Sequence, residues 1–157
     1  MPNPKPTEPI VYRERVRPNL GTFIAVATLL PAVTLVSEPF DYRIGIAVGL
    51  IMVISIWAVL FFFAPVIQVG SSHLTVARAK IPRNLLGKIE EIAKDQIFSE
   101  RGPKLDPAAY KVFQGTVKTA IKISLNDPND PTPYWIISTR KPAQLAEVLR
   151  AKLSVTL

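Results

Sequence analysis

The chain has 157 residues, with 19 lysines and arginines against 12 acids, a single histidine and no cysteine. Without cysteine there is no disulfide, no thiolate metal site and no cysteine nucleophile, and one histidine excludes a multi-histidine zinc site. A net charge of +7 beside a mean hydropathy of +0.25 fits an apolar anchor joined to a basic polar part.

Residues 1–19 read as a Pro-rich, basic arm. Pro2, Pro4, Pro6 and Pro9 block helix and favour extended chain, which serves either as a loose tail or as a strand laid on a partner. Between Arg17 and Glu38 there are 20 uncharged residues in a row, and between Arg43 and Arg78 there are 34, broken only by ionisable His73. A bilayer core of about 30 Å takes roughly 20 helical residues, so a transmembrane hairpin is expected over residues 20–63, with spans at about 20–37 and 44–63. Pro31 bends the first span, and Thr28 and Thr34 are placed to satisfy the carbonyl it frees. In the second, Gly45 and Gly49 form a Gly-x-x-x-Gly, which permits close helix approach or is ordinary tolerance of glycine in such helices. Trp57, Phe61, Phe62 and Phe63 gather at one end, and Phe40 and Tyr42 at the other, as interfacial aromatic belts do.

Charge sets the expected orientation. Lys5, Arg13, Arg15 and Arg17 precede the first span and 14 basic residues follow residue 70, whereas the link between spans offers Arg43 beside Glu38 and Asp41. The positive-inside rule then keeps both termini cytoplasmic and the link from Ser37 to Arg43 outside, in a multi-pass plasma-membrane protein. The alternative for the first span is a cleaved signal peptide, but its leader holds acids and Pro9, and Ser37-Glu38-Pro39 is a poor cleavage site.

After Ala64 and Pro65 the periodicity turns from helical to alternating, marking a cytoplasmic β-rich domain over residues 66–157. Val66–Val69 and Leu74–Ala79 read as a β-hairpin around Gly70-Ser71-Ser72-His73. Leu85–Ala93 reads as a strand, although Leu85, Ile89 and Ile92 also fit a helix. Val117–Leu125 alternates most cleanly, with Val117, Thr119, Ile121, Ile123 and Leu125 on one face and Lys118, Ala120, Lys122 and Ser124 on the other. Asp127 to Pro133 makes a rigid turn, and Tyr134–Ser138 a mostly buried strand. The chain closes in an amphipathic helix started by Pro142, with Leu145, Val148, Leu149 and Leu153 as its apolar stripe. The fold class expected is a membrane α-hairpin plus an α+β cytoplasmic domain, its antiparallel sheet closed by the C-terminal helix.

No catalytic or metal site is expected. Ser71, Ser72 and His73 are adjacent in a turn, whereas a triad brings its members from distant positions. Asp106, Asp127 and Asp130 suit a hard cation by type, but Asp-Pro-Asn-Asp lacks the alternating ligands and glycine of an EF-hand, and turn-making explains these acids. Arg101, Tyr110, Tyr134 and Trp135 are the residue types that dominate interface hot spots and form a candidate partner interface; alternatively the aromatics fill the core and Arg101 bonds a carbonyl. Arg13, Arg15, Arg17, Arg78, Lys80, Arg83 and Lys88 flank the spans and are candidate contacts to anionic lipid headgroups. Nucleic acid is not expected, since Lys118 and Lys122 make only a sparse stripe and no phosphate loop or stacking platform accompanies them.

Tyr12-Arg13-Glu14-Arg15-Val16, Arg101-Gly102-Pro103, Leu105-Asp106-Pro107, Ala109-Tyr110, Asp127-Pro128, Asp130-Pro131-Thr132-Pro133-Tyr134-Trp135, and Ser138-Thr139-Arg140 with Pro142 together resemble an uncharacterised actinobacterial two-span membrane protein family, a domain-of-unknown-function family. The resemblance covers residues 10–153 and departs at Gln114-Gly115-Thr116, where an Arg-Gly-Trp-like run is expected. It implies two spans and a cytoplasmic domain and no activity. The soluble half also resembles a bacterial pleckstrin-homology-like (PH-like) domain, from which function does not follow. The function expected is therefore a non-enzymatic membrane-anchored interaction protein without cofactor or small-molecule substrate. It would be an accessory subunit of a larger membrane assembly, with a respiratory supercomplex as one host and other membrane subunits and anionic lipids as partners. The alternative is an anionic-lipid or envelope-stress sensor at the inner leaflet.

Overall fold

The computed structural model describes residues 9–39 and 41–151. The chain divides into two compact units, Arg17–Ala64 and the combination of Met1–Val16 with Pro65–Leu157.

The smaller unit holds three helices, α1 (Leu20–Ala27), α2 (Leu29–Ser37) and α3 (Tyr42–Phe62). Asn19 caps α1, its Oδ1 accepting from the Thr22 N–H at 3.0 Å, and Asp41 caps α3 by accepting from the Arg43 N–H at 2.8 Å. The expected first span is broken at Thr28, three residues before Pro31, whose ring cannot donate the bond that would continue the ladder. The threonines do not rescue the carbonyl that Pro31 frees: Thr28 Oγ1 donates to the Ala25 carbonyl and Thr34 Oγ1 to that of Leu30. Gly45 and Gly49 are buried against α2. A Cβ on Gly45 would stand 2.7 Å from Ser37 Cβ and 3.0 Å from Thr34 Cα, and one on Gly49 2.8 Å from Leu30 Cδ1. At Gly45 only glycine permits this approach, whereas at Gly49 the Leu30 side chain can turn aside and its backbone stands at an ordinary 3.4 Å, so Gly45 is the closer packing point of the Gly-x-x-x-Gly. Trp57 adds a side-chain tie, its Nε1 donating to the Phe23 carbonyl at 3.1 Å while its ring meets Phe23 edge-on.

The larger unit is α+β. One antiparallel sheet runs in the order β1 (Ile10–Arg15), β2 (Val66–Gly70), β3 (His73–Val76) and β4 (Ala79–Pro82). The second runs β5 (Leu86–Ile92), β7 (Ala120–Leu125), β8 (Tyr134–Ser138) and β6 (Tyr110–Val112), with β6 parallel to β8 and the other pairs antiparallel. A short helix α4 (Ile97–Arg101) precedes β6, and α5 (Pro142–Arg150) closes the chain.

The strand β1 lies within the segment expected as an arm. Tyr12, Glu14 and Val16 alternate with Val11, Arg13 and Arg15, and Tyr12 and Val16 are buried in the main core. Residues 1–8, with three of the four prolines, fall outside the described residues, as do Phe40 and Leu153. The expected strand Leu74–Ala79 ends at Val76, because Ala77 takes a left-handed φ of 54° and turns the chain into β4. The expected strand from Val117 starts only at Ala120, since the Val117 N–H bonds the Gln114 carbonyl in a turn. Its alternation holds: Ile121 and Ile123 enter the main core, and Ala120 joins Ile92 and Ile136 on the opposite face. The main core is shared by both sheets and by Leu145, Ala146 and Leu149 of α5.

Candidate functional site

The chain leaves the first sheet after β1 and re-enters it at β2, at one end of their shared ladder. Arg15 stands opposite Val66 in the β1–β2 ladder, and the Val16 N–H donates to the Pro65 carbonyl at 2.9 Å. The β3–β4 turn closes at this same end, where the Ala77 N–H bonds the Val66 carbonyl. Arg15 and Arg78 are both exposed there. Arg13 and Lys80 lie one step inward on the two edge strands, in a register row Arg13, Gln68, Thr75, Lys80. Arg17 belongs to the helical unit, its guanidinium 4.3 Å from the centre of the Phe61 ring.

Two members of the expected headgroup set lie elsewhere. Arg83 is 7% exposed, so it is no headgroup contact. Its Nη2 donates to the Val148 and Leu149 carbonyls at 2.7 and 2.9 Å, and its Nη1 to Gly70 at 3.3 Å. The last carbonyls of a helix lack intrahelical donors and carry partial negative charge, and the guanidinium fork supplies both needs. Lys88 is ion-paired with Glu90 at 2.6 Å, and that bond holds the Glu90 carboxyl below its ordinary range.

The expected partner patch does not assemble as one surface. Neighbours along a strand point to opposite faces, so Tyr134 and Trp135 are separated by β8 itself. Trp135 is 5% exposed in the main core, its ring centre 4.7 Å from that of Tyr110. Tyr110 in turn donates its hydroxyl to the Val76 carbonyl at 3.2 Å, tying β6 of one sheet to β3 of the other. Tyr134 lies on the outer face, where its hydroxyl accepts from the Asp106 N–H at 2.8 Å and Lys122 Nζ sits 4.3 Å over its ring. Arg101 donates from Nη2 to the Val117 carbonyl and to Ser138 Oγ, both at 2.8 Å, and burial lowers its pKa from the usual arginine value. These are bonds that hold loops to sheets.

Sequence reasoning missed the polar cluster that joins the quoted motifs. The Glu14 carboxylate accepts from the Tyr12 hydroxyl at 2.8 Å, from Thr139 Oγ1, and from the Arg140 N–H at 2.9 Å. Burial, with the adjacent Glu14 carboxylate, raises the Tyr12 pKa well above the ordinary tyrosine value. Ser138 accepts from Arg101 and from the Gln114 N–H. The Tyr-Arg-Glu and Ser-Thr-Arg motifs are thus two halves of one tie between β1 and the start of α5, and their co-occurrence was the available signal.

The acids expected to shape turns do so. Asp106, Asp127 and Asp130 accept from the N–H two residues on, at Ala108, Asn129 and Thr132, and the bonds from Thr132 hold Asp130 below the ordinary carboxylate range. Among the described residues no group of three or more His, Cys, Asp or Glu is placed to hold a metal. Ser72 and His73 hydrogen-bond to each other at 2.8 Å as sequence neighbours.

The described elements define an α+β chain in which two apolar helical stretches, Leu20–Ser37 (α1 with α2) and α3, each long enough by length and composition to cross a membrane, are inserted in sequence between β1 and β2 of a two-sheet domain. The chain belongs to the family described as "Protein of unknown function (DUF3093)", whose model matches residues 11–149, from β1 through the hairpin to α5. No curated protein and no solved structure matches the chain.

Proposed function

We propose that this chain is a non-enzymatic membrane-anchored interaction protein, an accessory or stabilising subunit of a larger membrane protein assembly, with its hairpin in the plasma membrane and both termini in the cytoplasm. The observation that carries this reading is the pairing of β1, which precedes the hairpin, with β2, which follows it. A ladder closed on both sides of the insertion supports a chain that returns to the side from which it left, as an even number of crossings demands. Burial supports membrane spanning: none of the first helical stretch and 17% of the second is buried, whereas the core helix of a soluble protein is mostly covered. Serine and threonine hydroxyls of the helices, Thr28, Thr34, Ser37 and Ser55, bond carbonyls of their own helical stretch, as a low-dielectric setting favours. Two spans make a poor transport path, and in the sheet domain Glu14, Arg83, Arg101 and Tyr110 are engaged in bonds between its own elements.

Extraction in mild detergent at native expression, followed by native gel separation and mass spectrometry, tests the reading. A complex larger than the chain, with reproducible membrane subunits, a respiratory supercomplex among the candidates, supports it. Recovery as a lone monomer refutes the subunit assignment.

A second reading, an anionic-lipid sensor of PH-like fold, draws on the strand order: a four-stranded meander, an antiparallel β5–β7–β8 set and a closing helix around one core. The parallel β6 and the inserted hairpin are its departures. Co-purified anionic lipid that is lost on the R15E/R78E double substitution would favour it.

A further inference from the structure

We infer that the groove between α2 and the start of α3, at the link end of the hairpin, binds one phospholipid whose headgroup carries a primary ammonium beside its phosphate, as phosphatidylethanolamine does. This rests on the membrane-spanning reading of the hairpin and adds a ligand to it. Every residue of the site belongs to the helical unit.

The groove has a volume of about 600 Å³, inside the roughly 300–1,000 Å³ of sites that hold small molecules. Its polarity is graded along the helices. Leu30, Pro31 and Leu35 of α2 and Ile46 of α3 make the deep part apolar, and the hydroxyl among them, Thr34 Oγ1, is engaged by the Leu30 carbonyl at 2.9 Å. Glu38 and Tyr42 stand at the mouth, where the link begins and ends. From Leu30 to Glu38 is eight residues, or about 12 Å of helix, which is most of one leaflet's share of a hydrocarbon core of about 30 Å. A site that is polar at the interface and apolar over that depth matches a headgroup followed by the upper part of an acyl chain. Spread over the same length, the volume gives a cross-section of about 50 Å², too narrow for a partner's helix, which at about 10 Å across needs roughly 80 Å².

Charge at the mouth selects the headgroup. Among the described residues no donor and no ion-pair partner engages the Glu38 carboxylate. Asp41 is occupied as the cap of α3, accepting from the Arg43 N–H at 2.8 Å. Arg43 leans on Tyr42, its Nε 3.4 Å from the hydroxyl and its guanidinium 5.9 Å from the ring centre, which keeps one cation beside the mouth. Two acids against one cation leave the link net negative, so an anionic headgroup is disfavoured. A primary ammonium brings three donors to Glu38 and leaves its phosphate for Arg43. The trimethylammonium of choline has no N–H and makes no such bond.

The full-length chain, extracted in mild detergent and stripped of lipid, is titrated with phosphatidylethanolamine, phosphatidylcholine and phosphatidylglycerol of identical acyl chains and read by native mass spectrometry. The expected result is one phosphatidylethanolamine retained about tenfold more tightly than either other lipid, the worth of a single hydrogen bond to a charged group. E38Q is expected to erase that preference, and I46W, which fills the deep part, to weaken retention of all three. Equal retention of the three lipids, a preference unchanged in E38Q, or retention unchanged in a folded I46W overturns the inference and leaves the hairpin reading standing. A chain that stays monodisperse without detergent removes the hairpin reading, and this inference with it. A second copy that excludes the lipid assigns the groove to self-association and likewise overturns it. Since the Glu38 side chain is exposed, E38Q leaves the fold intact and carries the test even if I46W does not fold.

Discussion

If β1 is part of the sheet domain, the hairpin can be removed only by a cut that keeps β1. Arg15 faces Val66 and the Val16 N–H bonds the Pro65 carbonyl, so deleting residues 17–64 and joining Val16 to Pro65 through Asn-Gly closes the ladder with a two-residue connection, held by that one bond because Pro65 has no N–H to return to Val16. The comparison chain, residues 65–157 alone, lacks Tyr12 and Val16, which are 8% and 0% exposed. Their burial contributes about 1.5–3 kcal/mol each. The Glu14 bonds to Thr139 and Arg140 add about 1 kcal/mol or more apiece. A loss of about 5–9 kcal/mol stands against a total stability of about 5–15 kcal/mol for an ordinary domain. The turn-linked chain is therefore expected to be soluble, monomeric and cooperatively folded, and residues 65–157 to be unfolded or nearly so. Urea titration followed by circular dichroism decides the matter. Equal midpoints and slopes for the two chains would refute the claim that β1 belongs to the fold.

Arg83→Leu removes the donor to the Val148 and Leu149 carbonyls and is expected to destabilise the turn-linked domain by about 2–4 kcal/mol, with R83K a poor rescue because an ammonium is not a planar fork; thermal melts read both. Gly45→Leu pushes α2 and α3 apart at a contact of 2.7 Å and is expected to cost about 1–3 kcal/mol in hairpin packing, seen as lost cross-linking between cysteines placed across the two helices of the full chain, with Gly49→Leu milder because the Leu30 side chain it meets can turn aside. Tyr12 is an acid whose folded pKa is raised, so above the unfolded value of about 10 the unfolded state releases its proton first and stability falls with rising pH. Urea midpoints of the turn-linked domain measured across that range should decline, and the decline should shrink in Y12F.

What the sequence made legible was whatever has a local period. The uncharged stretches, the alternation of Ile121 and Ile123 in β7, and the stripe of Leu145 and Leu149 in α5 depend on neighbours in the chain, and they appear where expected. What it concealed was set by partners far away. Ile10 to Val16 alternates as a strand should, but its partner β2 begins some fifty residues later, beyond the hairpin, and the prolines upstream outweighed the alternation. Arg83 reads as a surface cation in the sequence because nothing nearby announces that α5 ends beside it, 65 residues on. Arg101, Tyr110, Tyr134 and Trp135 have the composition of an interface and also of a well-tied core. Only the opposite facing of consecutive β8 residues, together with the bonds to Val76, Val117 and Ser138, separates the two.

The central claim, a hairpin crossing the membrane twice with the sheet domain inside, is tested most directly by thiol accessibility in intact cells. With no native cysteine, P39C in the link between spans and N129C in the distal turn each supply one reporter. Labelling of P39C by a membrane-impermeant maleimide in intact cells, with N129C labelled only after permeabilisation, is the predicted result. Labelling of N129C from outside, or recovery of the full-length chain in the soluble fraction, would contradict it.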